Sequence, residues 1–311
     1  MVYLFFGGTT DSAELFITRS PYTFGGLSGD RSKTPFSVIG VPLDATSSFR
    51  PGYRLAPLYI RLAAQNLEYF SMRFGVDLES VLYVDEGDIV LAHESLHKAL
   101  EVIRMVSEYM FSLGRIPVFL GGEHTITYGT ARAAGGYHKG LCIVVFDAHA
   151  DLRSEYLGNR FSHACIVSRL VEVLGRDSVV LAGTRAVSRE EYEKLKEGRV
   201  RYIPAKYFKR FGLKHVAQLL LDFISSCRSV YLSVDMDVFD PAFAPGVATP
   251  EPDGLMPADL LDLLPEILSS KFVALDIVEI VPSYDPSMIT SMLAAKIAIE
   301  FMSGLYAQLS R

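Results

Sequence analysis

The chain has 311 residues, 50% of them hydrophobic and 21% charged, with a formal net charge of −6. That length and apolar share suffice for one large α/β domain with a substantial core. The acidic balance, with no basic stripe and no interleaved aromatic and arginine residues, excludes nucleic acid as a principal partner and modestly favours a small cationic substrate.

The opening MVYLFFGGTTDS has no basic n-region and too short an apolar run for a signal peptide, and no stretch of about 20 apolar residues follows. The expected compartment is the cytoplasm, with no membrane partner. Residues 1–35 read as an N-terminal extension that packs on the domain or on an oligomer interface, with SPYTFGGLSGDRS as its contact segment. No Pro-, Ser- or charge-rich linker and no fixed-period repeat interrupts the chain, so 1–311 is read as a single domain.

Apolar runs at 36–43, 81–87, 116–122, 141–146, 178–183, 229–234 and 272–280 predict buried strands. Three- and four-residue apolar spacing predicts a helix over 93–113, and a capping-box pattern from Ser188 to Glu191 opens another over 188–198. This alternation implies right-handed crossovers and an α/β, three-layer α-β-α fold with a mainly parallel sheet, whose ligand site lies beyond the carboxyl ends of its strands. Gly121-Gly122 fits neither GxGxxG nor GxxxxGK and reads as a close backbone approach or a plain turn, while Gly25-Gly26 and Gly135-Gly136 read as turns. Cys142, Cys165 and Cys227 are odd in number and irregularly spaced, which predicts reduced core residues. With no GxSxG elbow and no Cys/His pairing, serine and cysteine hydrolases are discarded.

Three short clusters follow apolar runs: His124 in GGEHT; Asp147, His149 and Asp151 in DAHAD; Asp235 and Asp237 in SVDMD. Side chains at i, i+2 and i+4 of an extended segment share one face, so each cluster is expected to aim its donors at one centre. A lone Asp-x-Asp is ordinarily a solvated turn or cap. Three clusters at three strand ends outweigh that reading, because bare carboxylates at the end of a buried strand need a compensating cation. Four carboxylates and two imidazoles without a thiolate form a hard site that suits Mn²⁺, tolerates Co²⁺ or Ni²⁺ and accepts Zn²⁺. Six ligands serving two ions require bridging carboxylates and leave a position for a shared, acidified water.

These segments resemble the ureohydrolase family of arginases and agmatinases, agmatinases most of all. GGEHT resembles the family's GGDHS, DAHADL its DAHxD, and SVDMDVFDPAFAPGVATPEPDGL its SxDxDxxDPxxxPxxxTPxxGGL signature. DIVEIVPSYDPSMIT is similar to the closing DxVExxPxYDxxxxT, and IGVPLDATSSFRPGYRLAPLYIR and DEGD are also agmatinase-like. The resemblance covers almost the whole chain. It implies an arginase-like fold, two Mn²⁺ per subunit, a homo-oligomer (trimer or hexamer), and hydrolysis of a guanidinium group to urea and an amine. Agmatine is the first substrate it implies; arginase, guanidinobutyrase and aminopropylagmatine ureohydrolase are the alternatives.

The resemblance puts one ion on His124, Asp147, Asp151 and Asp235 and the other on Asp147, His149, Asp235 and Asp237, with Asp147 and Asp235 bridging. Glu279 matches the glutamate that holds the guanidinium, His163 the histidine that exchanges protons, and Asp151 would relay the nucleophile's proton. Thr249, in the TPE stretch, is placed with the substrate-binding residues. Within the entrance segment 153–162, Arg153 suits a carboxylate tail and Glu155 an amine tail. Two departures stand out: Glu123 replaces an aspartate, which is expected to alter the support of His124, and Ala248 replaces a glycine. Two rival classes fit the ligands, a two-metal phosphoesterase and a non-catalytic metal-binding protein; the first lacks a phosphate clamp beyond Arg153.

Overall fold

A computed structural model describes residues 13–27, 29, 34–81, 83–91 and 95–309. The opening 1–12, residues 28 and 30–33 of the expected extension, and the first two residues of the helix expected from 93 lie outside them.

The strands are β1 (Ile17–Thr18), β2 (Phe36–Val41), β3 (Phe70–Ser71), β4 (Val76–Asp77), β5 (Tyr83–Ile89), β6 (Ile116–Gly121), β7 (Leu141–Phe146), β8 (Val179–Thr184), β9 (Arg201–Pro204), β10 (Ser229–Asp235) and β11 (Phe272–Val278). Nine of them form one sheet in the order β1-β5-β2-β6-β11-β10-β7-β8-β9, and β3 and β4 make a separate hairpin. Every pairing in the large sheet is parallel except that of β1 with β5. The seven expected strands are all present. The sheet's two edge strands were not foreseen, because β1 has two residues and only one residue of β9 is buried, so neither makes an apolar run.

The helices are α1 (Ala56–Ala64), α2 (Leu96–Ser112), α3 (Ile126–Tyr137), α4 (Ile166–Leu174), α5 (Arg189–Lys196), α6 (Ala205–Phe211), α7 (Leu213–Ser225), α8 (Pro257–Leu261), α9 (Leu264–Ile267) and α10 (Ile289–Leu309). The foreseen capping box is in place, formed by Ser188 and Glu191 at the start of α5, and α2 has a cap that was not foreseen, Ser95 Oγ accepting the Lys98 N–H. Gly135 and Gly136 are not in a turn but inside α3, where small residues permit close packing; a Cβ on the same helix's Gly129 would come within 2.9 Å of Ile103. At Gly122 the expected close approach is real, since a Cβ there would lie 2.0 Å from the Leu43 carbonyl oxygen.

Period two divides the core. Val144 and Phe146 of β7 join one apolar cluster with α1, α7 and α10, whereas Ile143 and Val145 join the other with α2, α3 and α4. Three layers result. α10 is long and apolar enough to cross a membrane by composition, yet 78% of its most apolar stretch is buried, which makes it a core helix.

The cysteines depart from expectation. Cys142 in β7 and Cys227, just ahead of the neighbouring β10, form a disulfide with a Cα–Cα distance of 5.8 Å, and buried Cys165 is free. An odd count argued against a framework, but it does not forbid one pair brought together by adjacent strands. The bridge spans 85 residues, and by loop-closure entropy its removal in Cys227→Ala should cost about 2–4 kcal/mol of unfolding free energy. Thiol titration in denaturant should find one thiol per chain before reduction and three after. Three before reduction would disprove the bridge.

Candidate metal centre

Strands β6, β11, β10 and β7 are neighbours, and their carboxyl ends lead directly to His124, Glu279, Asp235 and Asp147. The convergence does not come from extended alternation as expected. Asp147, His149 and Asp151 lie beyond the end of β7, and Asp237 lies in a 3₁₀ turn after Asp235. Tight carboxylate turns do the aiming instead: Asp147 Oδ1 accepts the His149 N–H at 2.6 Å, and Asp235 Oδ1 accepts the Asp237 N–H at 2.8 Å. Asp151 (φ 49°) and Glu279 (φ 67°) hold left-handed backbone, a strain of about 1–3 kcal/mol each that functional sites tolerate when the surroundings enforce it.

All six expected ligands meet. His124 Nδ1 lies 3.2 Å from Asp147 Oδ2, 3.2 Å from Asp235 Oδ2 and 3.5 Å from Asp151 Oδ2, while His149 Nδ1 lies 2.9 Å from Asp237 Oδ2. One donor atom from each of His124, Asp147 and Asp235 falls within 4.8 Å of the others, as does one from each of Asp147, His149 and Asp237, so Asp147 belongs to both groups. His124 Nδ1 and Asp147 Oδ2 are buried without a hydrogen-bond partner, as atoms facing a cation would be.

The electrostatics agree. Burial, then the charge of Asp147, pushes the Asp151 carboxyl up to about 8, and burial with Asp237 and Asp147 raises Asp235 well above the carboxylate range. Burial disfavours a charged His124, but the carboxylates of Asp147, Asp151 and Asp235 outweigh it and raise the ring well above 6.5. Burial opposes the charge of Asp147 too, but the His124 and His149 imidazoles hold that carboxyl below its usual range, so Asp151 and Asp235 resist ionising beside it and the cluster is short of positive charge, which two divalent ions would supply. Saturating Mn²⁺ should therefore raise the unfolding free energy by about 2.7 kcal/mol at 100 times its dissociation constant. Thermal melts across a metal titration check this; a melting temperature indifferent to chelator and metal would exclude the site.

Around the cage, His124 Nε2 lies 3.1 Å from Ser233 Oγ. Ser233 in turn bonds Asp276, which accepts the Thr127 and Tyr231 hydroxyls at 2.8 Å. An Nε2–H donated to Ser233 leaves Nδ1 bare toward the ligand group. Glu279 Oε1 accepts the His124 N–H at 2.6 Å and bonds the buried Tyr53 phenol, while burial pushes its own carboxyl up to about 8. Glu123 does not support His124 as expected. Its carboxylate reaches the 45–46 loop and, through Thr46, His163.

A cavity of ≈ 320 Å³ opens over the cage. Of the residues expected in substrate binding, Arg153, Thr249 and Glu279 line it, with Thr249 Oγ1 3.4 Å from Asp237 Oδ2. Glu155, the other residue expected at the substrate tail, is exposed and is not among the lining residues. Arg153 is already matched: its guanidinium lies 3.7 Å from Glu191 and 5.0 Å from the centre of the Tyr156 ring. Glu251 lines the wall beside His149, 3.9 Å from its Nε2. Arg185 holds that wall by donating to the carbonyls of Asp237, Val238, Glu251 and Pro252. Sequence reasoning assigned Thr46, Tyr53, Arg185 and Ser233 no role: Ser233 opens the SxDxD signature and Thr46 and Tyr53 lie in the agmatinase-like segment 39–61, but none of these patterns announces the distant partner.

A mainly parallel α/β sheet with a buried His and Asp cage at its carboxyl edge defines a metal-dependent hydrolase class. Comparison narrows the class. Residues 34–304 match the arginase family. The agmatinase of Halalkalibacterium halodurans is 35% identical over 274 residues, 88% of this chain and 92% of that protein. The N(1)-aminopropylagmatine ureohydrolase of Thermococcus kodakarensis is 31% identical, over 83% of this chain and 88% of that one. The crystal structure of agmatine ureohydrolase of Thermoplasma volcanium superposes with a TM-score of 0.84 at 38% identity, over 91% of this chain and 93% of that one. The chain belongs to the arginase family, and it is a ureohydrolase that cleaves a guanidino group to urea and an amine.

Proposed function

We propose that the substrate is agmatine, cleaved to urea and putrescine at a two-manganese centre by a cytoplasmic homo-oligomer, trimer or hexamer. The chain would be a single domain, with 1–35 an extension packing on the domain or on an oligomer interface. The charge of the cavity mouth carries the substrate reading. Arg153, the only Lys or Arg among the described lining residues, has its charge met by Glu191 and its face covered by Tyr156, so a carboxylate tail finds no free cation. Glu251, 43% exposed at its side chain, faces the mouth and suits an ammonium tail.

His124, Asp147, Asp151 and Asp235 would hold one ion and Asp147, His149, Asp235 and Asp237 the other, a hard donor set that suits Mn²⁺. Paired ions, when bound, make a shared water acidic enough to serve as a nucleophile near neutral pH. Glu279 accepts paired N–H bonds from the planar guanidinium and turns its carbon toward the cage. Asp151, whose carboxylate lies 3.5 Å from His124 Nδ1 in the cage, takes the nucleophile's proton. His163, which burial keeps below its usual value and so neutral, exchanges that proton with the departing amine and solvent. Thr249 steadies Asp237.

Urea release from agmatine, arginine, 4-guanidinobutyrate and aminopropylagmatine after Mn²⁺ loading tests the reading. The expected order puts agmatine first in kcat/KM and the carboxylate-tailed compounds last. Faster turnover of arginine or guanidinobutyrate would overturn it.

A further inference from the structure

The loop after β2 is stapled to the segment after β6. The Gly122 N–H donates to the Val41 carbonyl at 2.9 Å, and the Glu123 N–H donates to the Leu43 carbonyl at 3.0 Å. Glu123 itself is fully buried. Its Oε2 accepts the Ala45 and Thr46 N–H groups at 2.6 and 2.7 Å, and its Oε1 accepts the Thr46 hydroxyl at 2.9 Å. Every partner of this carboxylate is a donor.

A hydroxyl has one proton to give. Thr46 spends it on Glu123, so toward His163 the same oxygen can only accept. It accepts twice: from the His163 backbone N–H at 3.1 Å and from ring Nδ1 at 3.0 Å. Nδ1 must therefore carry hydrogen. In the neutral ring Nε2 is then the bare nitrogen, 3.3 Å from Ser48 Oγ, and both Ser48 and His163 line the cavity.

We propose that Glu123 is a positioning residue that acts through Thr46 to fix His163 as the Nδ1–H tautomer, leaving Nε2 to take and return protons at the cavity. The aspartate of the resembled motif is one methylene shorter than the Glu123 that makes these contacts here. The inference rests on the reading of His163 as the proton-exchanging group, but it concerns an earlier link, the direction of one hydroxyl.

Glu123→Gln is a sharp test because both backbone N–H groups share one carboxylate oxygen. The amide oxygen must stay with them, which turns the amide NH₂ toward Thr46. Thr46 then accepts from Gln and donates to His163, so the bare nitrogen becomes Nδ1 and the hydrogen moves to Nε2. The ring nitrogens can be read by ¹⁵N NMR of histidine-labelled full-length protein loaded with diamagnetic Zn²⁺, with His163 assigned by its loss in His163→Asn. The protonated and bare nitrogens should exchange places in Glu123→Gln, while Thr46→Ser, which retains the hydroxyl, should keep the wild-type pattern. With Mn²⁺, kcat of Glu123→Gln should fall by about 10²-fold, the scale of one general acid–base group, at unchanged KM and metal content.

Retention of Nδ1–H in Glu123→Gln overturns the proposal, whether or not kcat falls, since Glu123 would then only hold the loop. Exchanged nitrogens with an unchanged kcat would instead remove His163 from the proton path and leave the relay standing, so the two failures are distinguishable.

Discussion

Asp235→Ala is expected to lower urea release by at least about 10³-fold and to leave the chain unable to hold its full complement of metal. Two independent losses combine. The Oδ2 atom, 3.2 Å from His124 Nδ1, disappears from the first donor group, and the Oδ1 atom that bends the backbone toward Asp237 disappears as well. Stabilisation by a bound ion is worth several kcal/mol, and each 1.36 kcal/mol is a factor of ten in rate. Asp235→Asn separates the two losses: its amide oxygen can still accept the Asp237 N–H, but it offers no anionic ligand. Metal content by elemental analysis, alongside turnover, should show both variants depleted and Asn the better folded. An alanine variant with two ions per chain and near-normal turnover would end the assignment.

The parts of this site that were legible in the sequence are those in which one residue type does one job close to a strand end. Asp235 is the last residue of β10, and the other five ligands follow β6, β7 and β10 within three residues of the strand's end or, for DAHAD, within five, so apolar runs located them. Their convergence has a cause other than strand alternation. Alternation along an extended strand would have placed Asp147, His149 and Asp151 on one face, but the chain turns after Phe146, and the i to i+2 carboxylate turns at Asp147 and Asp235 do the work. The spacing that alternation and the turn both require is the same, so the sequence did not distinguish them.

What was hidden depends on long-range partners. Thr46 and Glu123 are 77 positions apart and Thr46 and His163 are 117 apart, so no local pattern pairs them. Arg185, just after β8, binds carbonyls 52 to 67 positions away. Cys142 and Cys227 likewise meet only because β7 and β10 are neighbours in the sheet. Strand identity was carried by composition; strand order, and with it every contact between distant loops, was not.

Glu279→Gln is expected to reduce kcat/KM for agmatine by about 10²-fold or more while metal content and fold persist. The amide keeps the size of the carboxylate and one acceptor for the His124 N–H, so the backbone link between the strand ends that carry Glu279 and His124 survives. What is lost is the negative charge opposite the guanidinium. Removing one partner of a buried, hydrogen-bonded charge pair costs about 2–5 kcal/mol, and 2.7 kcal/mol already corresponds to a hundredfold. Burial pushes this carboxyl up to about 8, so a cationic substrate must also favour its ionised form, and binding should strengthen as pH rises toward that value. In Glu279→Gln that dependence should flatten, because an amide has no proton to lose. Steady-state kinetics from pH 6 to 9, about the span in which such a group titrates, check both claims. A variant with intact kcat/KM would show that the guanidinium is held elsewhere in the cavity.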